Sequence, residues 1–313
     1  MGVIMEEKKK IVEFANFNVT FGDNDEPLLL HLDDIVLPAL KSGLKRGKTY
    51  PSFYFINVNL QKYQNELILR ADYIKDTKYE AKTRIEKGQL KVVDDMMLAT
   101  PYSKIMIFLR NHRMILIKNE SSSPDIRSLS STIQSILSEY ISNTNKKVEM
   151  SGEKTLPYAN VNIVGIPLHA KGIHAMLQDM DKIKLARFKL FPLNNDIDPS
   201  RFTEYTRRMM QQAESNTGNI NFNSPKNKGE LARIIEGTSG LADVRVEGVD
   251  TNGNILKISG YELTKKEQFP WGEDLNLCPE EQVLKFAFDS GILTNVSNDN
   301  NRYYLEYLNS RKM

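Results

Sequence analysis

Four residues in one charged stretch, Asp72, Asp76, Glu80 and Lys82, are of the types that metal-dependent phosphodiester cleavage uses. Glu80-Ala-Lys82 forms the Glu-x-Lys half of a restriction-type nuclease core, with Asp72 or Asp76 upstream. In such a core the carboxylates hold a divalent cation and the lysine sits near the attacked phosphate. The spacing is short for that core, and a charged strand facing water produces the same letters. The segment therefore has a nuclease reading and a solvated-strand reading, and a divalent cation enters only with the first.

A second group has the types that grip phosphate. Arg201, Arg207 and Arg208 fall on a helix expected from Asp198-Pro-Ser to Glu214, whose inward stripe is Phe202, Tyr205 and Met209. With Lys184, Arg187 and Lys189 on a nearby strand they make the best nucleic-acid patch in the chain, diluted by Glu204 and Glu214. An ordinary amphipathic helix is the plain alternative. Arg110 and Arg113 flank His112 in the turn Arg110-Asn-His-Arg113, where guanidinium groups bind phosphate bidentately or the turn is simply wet. Tyr303-Tyr304-Leu-Glu-Tyr307 has rings that stack on bases, but reads more simply as a final strand.

The remaining reactive residues carry less. His169 and His174 lie five apart, and two imidazoles do not close a zinc site. His31 stands beside Asp33 and Asp34. Cys278 precedes Pro279 at a helix start, where the dipole lowers a thiol pKa, yet no base stands near it in sequence. As the single cysteine it excludes an internal disulfide and a multi-thiolate zinc site. Glu236-Gly-Thr-Ser-Gly240 is a helix stop, since no Gly-Lys-Ser/Thr follows to make a phosphate loop. No cofactor is implied.

These residues need a frame. Ile11–Phe21 alternates as a half-buried strand ended by Gly22-Asp-Asn-Asp25. Leu28 to Leu44 has helical length, broken or kinked at Pro38. Phe53–Leu60 and Leu67–Tyr73 read as paired strands, with Lys75–Lys91 a charged third strand. Ser103–Leu109 and Met114–Ile117 form a strand pair feeding a helix that starts near Pro124-Asp125 and buries Ile126, Leu129, Ile133, Ile136, Leu137, Tyr140 and Ile141 on one face. Asn143 to Lys154 is polar without apolar period. Beyond it strands 160–166, 183–191 and 219–223 alternate with helices 172–180 and 228–236. A hairpin then joins Leu241–Val249 to Asn254–Gly260 through Asp250-Thr-Asn-Gly253, and a last helix runs 279–291.

The order predicts a mixed α/β or α+β protein with a short solvated arm over 1–10. A mainly antiparallel sheet-plus-helix domain would cover 11–150, and a layered α/β domain 155–313. A length of 313 residues, 40% apolar and 26% charged, suits an ordinary globular chain. The net charge of +2 gives no general field toward nucleic acid, only local basic faces. The start lacks the charged-then-apolar order of a secretory signal, Glu6 breaks the myristoylation pattern, and no apolar run has membrane length. A cytoplasmic protein away from the membrane is the expectation.

The strand order, with Ser103-Lys-Ile-Met-Ile-Phe-Leu-Arg-Asn-His-Arg-Met114 and Val244-Arg-Val-Glu-Gly-Val-Asp-Thr-Asn-Gly-Asn254, resembles an uncharacterised family of bacterial proteins of about this length. The resemblance covers most of the chain. Such families are often met in phage-defence gene neighbourhoods, which implies a component of antiviral defence that binds or senses, with nucleic acid, a second protein encoded nearby or a further copy of itself as partner. No catalytic residue of that family maps onto a numbered position here. The alternatives are the nuclease on Asp72, Asp76, Glu80 and Lys82, and a structural assembly subunit.

Overall fold

The computed structural model describes residues 9–148, 154–194, 201–291 and 298–311; the expected arm over 1–10 lies mostly outside them. In chain order the strands are β1 (Lys10–Phe21), β2 (Glu26–Pro27), β3 (Ser52–Tyr63), β4 (Glu66–Glu86), β5 (Gln89–Ala99), β6 (Tyr102–Phe108), β7 (Arg113–Lys118), β8 (Ala159–Gly165), β9 (Lys182–Leu190), β10 (Gly218–Asn223), β11 (Asp243–Val249), β12 (Ile255–Ile258) and β13 (Lys266–Phe269). The helices are α1 (Leu37–Lys41), α2 (Ile126–Val148), α3 (Ala170–Gln178), α4 (Arg201–Gln212), α5 (Lys228–Gly237), α6 (Glu280–Asp289) and α7 (Asn298–Ser310). Among the described residues the strands pair antiparallel throughout, in one sheet of nine strands and one of four, so the fold is α+β.

β1 organises the large sheet and is buried on both faces for most of its length. One edge pairs with β7, followed by β6, β4 and β3; the other takes β13 and then β8. Ala15, Phe17, Val19 and Phe21 point into a core with α2, whose Leu129, Ile133 and Ile136 are fully buried, as the helical period predicts. Val12 and Phe14 face the opposite way, toward Val283, Leu284 and Ala287 of α6. The four-stranded sheet runs β10-β9-β11-β12 and packs one face on α3 and α5 through Ile173, Leu177, Phe188, Leu231, Ile235 and Val244.

Three expectations change. The sheet does not end at residue 150: β8, β13 and α6 all come from beyond 155 yet belong to the first sheet and its cores. The segment 155–313 is therefore not a separate layered unit throughout. The reason is that β1 needs partners on both edges, and the 11–150 segment supplies mainly one. The four-stranded sheet instead lies between β8 and β13 in the chain. Leu28–Leu44 is no continuous helix but a 3-10 turn (Leu28–His31), a π turn (Leu32–Val36) and α1, with Pro38 in the first turn of α1 where its missing N–H costs nothing. Tyr303–Tyr307 is helical, within α7, because Tyr304 and Tyr307 reach inward to Leu67 N–H (2.8 Å) and to Asp33 (3.0 Å).

Asp125 caps α2: its carboxylate accepts from Ser128 N–H at 3.3 Å and from Arg127 Nε at 2.8 Å. Burial alone would raise its pKa, but the Arg127 guanidinium and the helix N–H hold it below the ordinary carboxylate value. A depressed acid stabilises the fold above its unfolded pKa, and that contribution is lost as pH falls through the lower folded value. Asp125→Asn should flatten the decline of melting temperature between about pH 4 and 2. An unchanged slope would show that the cap carries no such linkage.

Candidate nucleic-acid interface

β9 alternates Lys182-Ile-Lys-Leu-Ala-Arg-Phe-Lys-Leu190, so Ile183, Ala186, Phe188 and Leu190 are buried while Lys184, Arg187 and Lys189 are exposed. An extra residue in β9 opposite Glu247/Gly248 makes a bulge that restores the alternation around Lys184. Because α3 and α5 cover one face only, the other face of this sheet is open. Register fills it in: Arg187 stands directly between Arg245 of β11 and Asn221 of β10, and Lys189 stands between Asp243 and Asn219. Asn223 and Lys257 extend it at either side. Like charges directly opposite across a strand pair repel. Arg245 leans 3.7 Å from Asp243, whose carboxyl is raised by burial against the pull of Arg245 and Lys189. Glu247 of β11 shares the face, directly opposite Lys257 and 4.0 Å from it, so cations and amides stand there with two carboxylates, and the two adjacent guanidinium groups near the centre are the part suited to phosphate oxygens.

The expected helix patch is not part of it. On α4 the buried stripe is Thr203, Arg207 and Met210, while Tyr205 and Met209 are exposed at 66% and 52%, opposite to the expectation. Arg207 is 8% exposed, and its guanidinium donates to the carbonyls of Phe191 and Leu241, fastening α4 to the end of β9 and to the segment before β11. Desolvation pushes its pKa down to about 10. Arg208 is exposed and pairs with Glu204 one turn away at 3.3 Å. The side chain of Arg201 lies outside the described residues. Arg113 is also buried, donating to Ser239 O at 2.6 Å, and Arg110 pairs with Glu66 at 3.0 Å and Asn301 at 3.2 Å. The Arg110–Arg113 turn is therefore structural, not wet: Asn111 and His112 are fully buried. Of the expected patch, only the strand cations Lys184, Arg187 and Lys189 stand exposed on β9 among the described side chains, and Arg245, Asn219 and Asn221 were missed. Their signal was present in the alternation of β10 and β11, but register between strands is not written in either strand.

The nuclease set does not assemble. Asp72, Asp76, Glu80 and Lys82 all sit on β4, a single strand, so Asp72 and Lys82 are roughly 33 Å apart along it. Asp72 is buried and held by Asn57 Nδ2 (2.7 Å) and Lys104 Nζ (3.2 Å). Asp76 accepts from Tyr54 (3.1 Å) and Lys45 (3.0 Å), and Glu80 pairs with Lys78 (2.9 Å). Asp72 lines a cleft of about 440 Å³ with Ile56, Ile74, Tyr102, Asn119 and Asp274. Burial and Asp274 together raise the Tyr102 phenol, whose hydroxyl donates to Asp274 at 2.6 Å. Among the described residues no three His, Cys, Asp or Glu side chains gather to hold a metal ion. His169 pairs with Glu236 (3.0 Å), His174 with Gln178 (2.8 Å), and His31 with Glu26 (2.6 Å) and Asp34 (3.2 Å). Burial pushes the Cys278 thiol up rather than down. No described helix is long and apolar enough to cross a membrane. Comparison with protein families and with curated proteins finds no match to this chain.

Proposed function

We propose that the protein is a non-catalytic component that binds nucleic acid through the open face of the four-stranded sheet, acting in the antiviral-defence setting that the sequence resemblance implies. The observation that carries the binding is the Arg187–Arg245 pair, directly opposed across two strands and flanked by Asn221. Two cations so placed destabilise the free protein slightly and are relieved by a bound polyanion. The face offers guanidinium, ammonium and amide donors, with the carboxylates Asp243 and Glu247 each beside a cation and no aromatic platform, so the contact is to backbone phosphate and sugar rather than to base edges.

Fluorescence anisotropy with duplex DNA, single-stranded DNA and RNA of matched length tests this across a salt series. Each phosphate neutralised contributes about 0.9 to the slope of log affinity against log salt for duplex DNA. The double variant Arg187→Ala, Arg245→Ala should lower that slope by about 1.8, weaken binding to all sequences alike, and leave the melting temperature unchanged or higher. No binding by the wild type at low salt, or binding that the double variant leaves intact, would sink the proposal. In a host carrying the gene with its neighbours, loss of phage protection in the same variant tests the defence setting.

A further inference from the structure

β4 outruns its sheet. β6 pairs with it up to Ile74 and β3 up to Asp76, so from Thr77 to Glu86 its partner is β5. The outer half of the hairpin is a two-stranded ribbon, a form that is marginal in water by itself. Its tip, Lys87-Gly88, has both residues at positive φ (50° and 79°), the backbone of a type I′ turn. Residues directly opposed in an antiparallel pair project to the same face. The register therefore puts Tyr79 with Met97, Thr83 with Val92 and Ile85 with Leu90 on one side. Lys78, Glu80, Lys82 and Arg84 alternate with them and face the other way, where β5 adds Leu98 and Met96 opposite Lys78 and Glu80. On the apolar side the exposures are 44% for Tyr79, 63% for Met97, 89% for Val92, 71% for Ile85 and 76% for Leu90. Together these leave on the order of 600 Å² of apolar surface open, the upper end of what a monomer carries.

We infer that this face is where two copies of the chain meet, arm against arm, about a two-fold axis. Area is the first argument: two such faces bury about 1,200 Å², the lower bound of a standard stable interface. Volume is the second. From base to tip the rungs are Thr77/Ala99, Tyr79/Met97, Ala81/Asp95, Thr83/Val92 and Ile85/Leu90, with one extra residue of β5 bulged between the third and fourth. With the axis through Ala81/Asp95 and the arms antiparallel, Ile85/Leu90 lies over Thr77/Ala99 of the second copy, and Tyr79/Met97 lies over Thr83/Val92. Large side chains then meet smaller ones, as interdigitating layers require, and the surface is complementary to itself, as an isologous contact requires. Asp95 is the acid paired with Ala81, which leaves room at the axis; Arg84 of the other face reaches it at 3.5 Å where the extra residue of β5 interrupts the alternation. The same acid, and the unpaired edges of a two-stranded ribbon, disfavour lipid as the occupant.

Sedimentation equilibrium of the full chain tests this. The wild type should be dimeric, and Leu90→Lys with Val92→Lys should weaken association at least about tenfold; Lys82→Ser on the charged face should not. Unchanged far-UV circular dichroism and melting temperature would confirm that the exposed substitutions leave the fold intact. In a Cys278→Ser background, Ala81→Cys at the axis should form a disulfide-linked dimer on mild oxidation, and Lys82→Cys should not. A wild type that sediments as a monomer at every concentration overturns the inference, as does a dimer unaffected by the double lysine variant. Binding of monomeric wild type to phosphatidylglycerol vesicles, lost in that variant, would give the face to lipid and overturn it too.

Discussion

Replacing Arg207 with methionine will cost the protein about 3 kcal/mol and lower its melting temperature by roughly 5 °C or more, while leaving nucleic-acid binding untouched. Methionine fills much of the same volume but donates nothing, so the carbonyls of Phe191 and Leu241 lose their donors inside the protein. Each stranded carbonyl costs about 1–3 kcal/mol. Part is returned, because the cation no longer has to be kept from water; desolvation is what depresses its pKa. Lysine is no substitute, since a point charge on one stem does not span two acceptors. Denaturant unfolding checks the cost. A variant with wild-type stability and lost binding would return Arg207 to the surface role that its place among Arg201 and Arg208 suggests.

Glu13→Ala should cost a similar amount, about 3 kcal/mol. Glu13 is 1% exposed, and its two carboxylate oxygens take different partners: Ile126 N–H at the start of α2 (3.1 Å) and the Tyr261 hydroxyl (2.8 Å). The anion also complements the positive end of that helix. Truncation strands a helix N–H and a phenol together. Burial first, and the Glu13 carboxylate second, push the Tyr261 phenol up. Ultraviolet titration should therefore find that phenol ionising at lower pH in the alanine variant. Glu13→Gln keeps an acceptor oxygen and should cost less. Equal losses in both variants would assign the effect to charge alone.

Residues 113 and 248 positions away decide the value of Glu13, which is why the sequence reads it as one polar letter in an alternating strand. Local periodicity served where a single element buries a single face: the stripe on α2, the β9 alternation, and the β11–β12 hairpin, whose Asp250 carboxylate takes the Asn252 and Asn254 N–H groups at 2.8 Å. It failed on α4, where two aromatic or thioether side chains outweighed an arginine in the choice of inward face, although two carbonyls needed that arginine. The Tyr-rich end of the chain has strand composition, yet its hydroxyls find partners only on a helix. The charged run expected as one strand, Lys75–Lys91, is the outer part of β4, the Lys87-Gly88 turn and the start of β5, so extended structure was legible there but neither the turn nor a strand that leaves its sheet. Of the binding face, Lys189, Arg187 and Lys184 were visible as exposed cations; the neighbours that make them a site belong to strands that meet only through the register.

The insertion of the smaller sheet between β8 and β13 also fixes an order of assembly. As the chain leaves the ribosome, β1 emerges well before the partners of one of its two edges, which waits for residues 159–165 and then 266–269. The four-stranded sheet draws its pairings from residues 182–258 and can close before that last partner has been translated. β1 therefore passes most of synthesis with an unpaired apolar edge, the condition under which nascent chains stick to one another or engage a chaperone. Codon substitutions that slow translation after residue 165 would lengthen that exposure and should lower the soluble yield without changing a single amino acid.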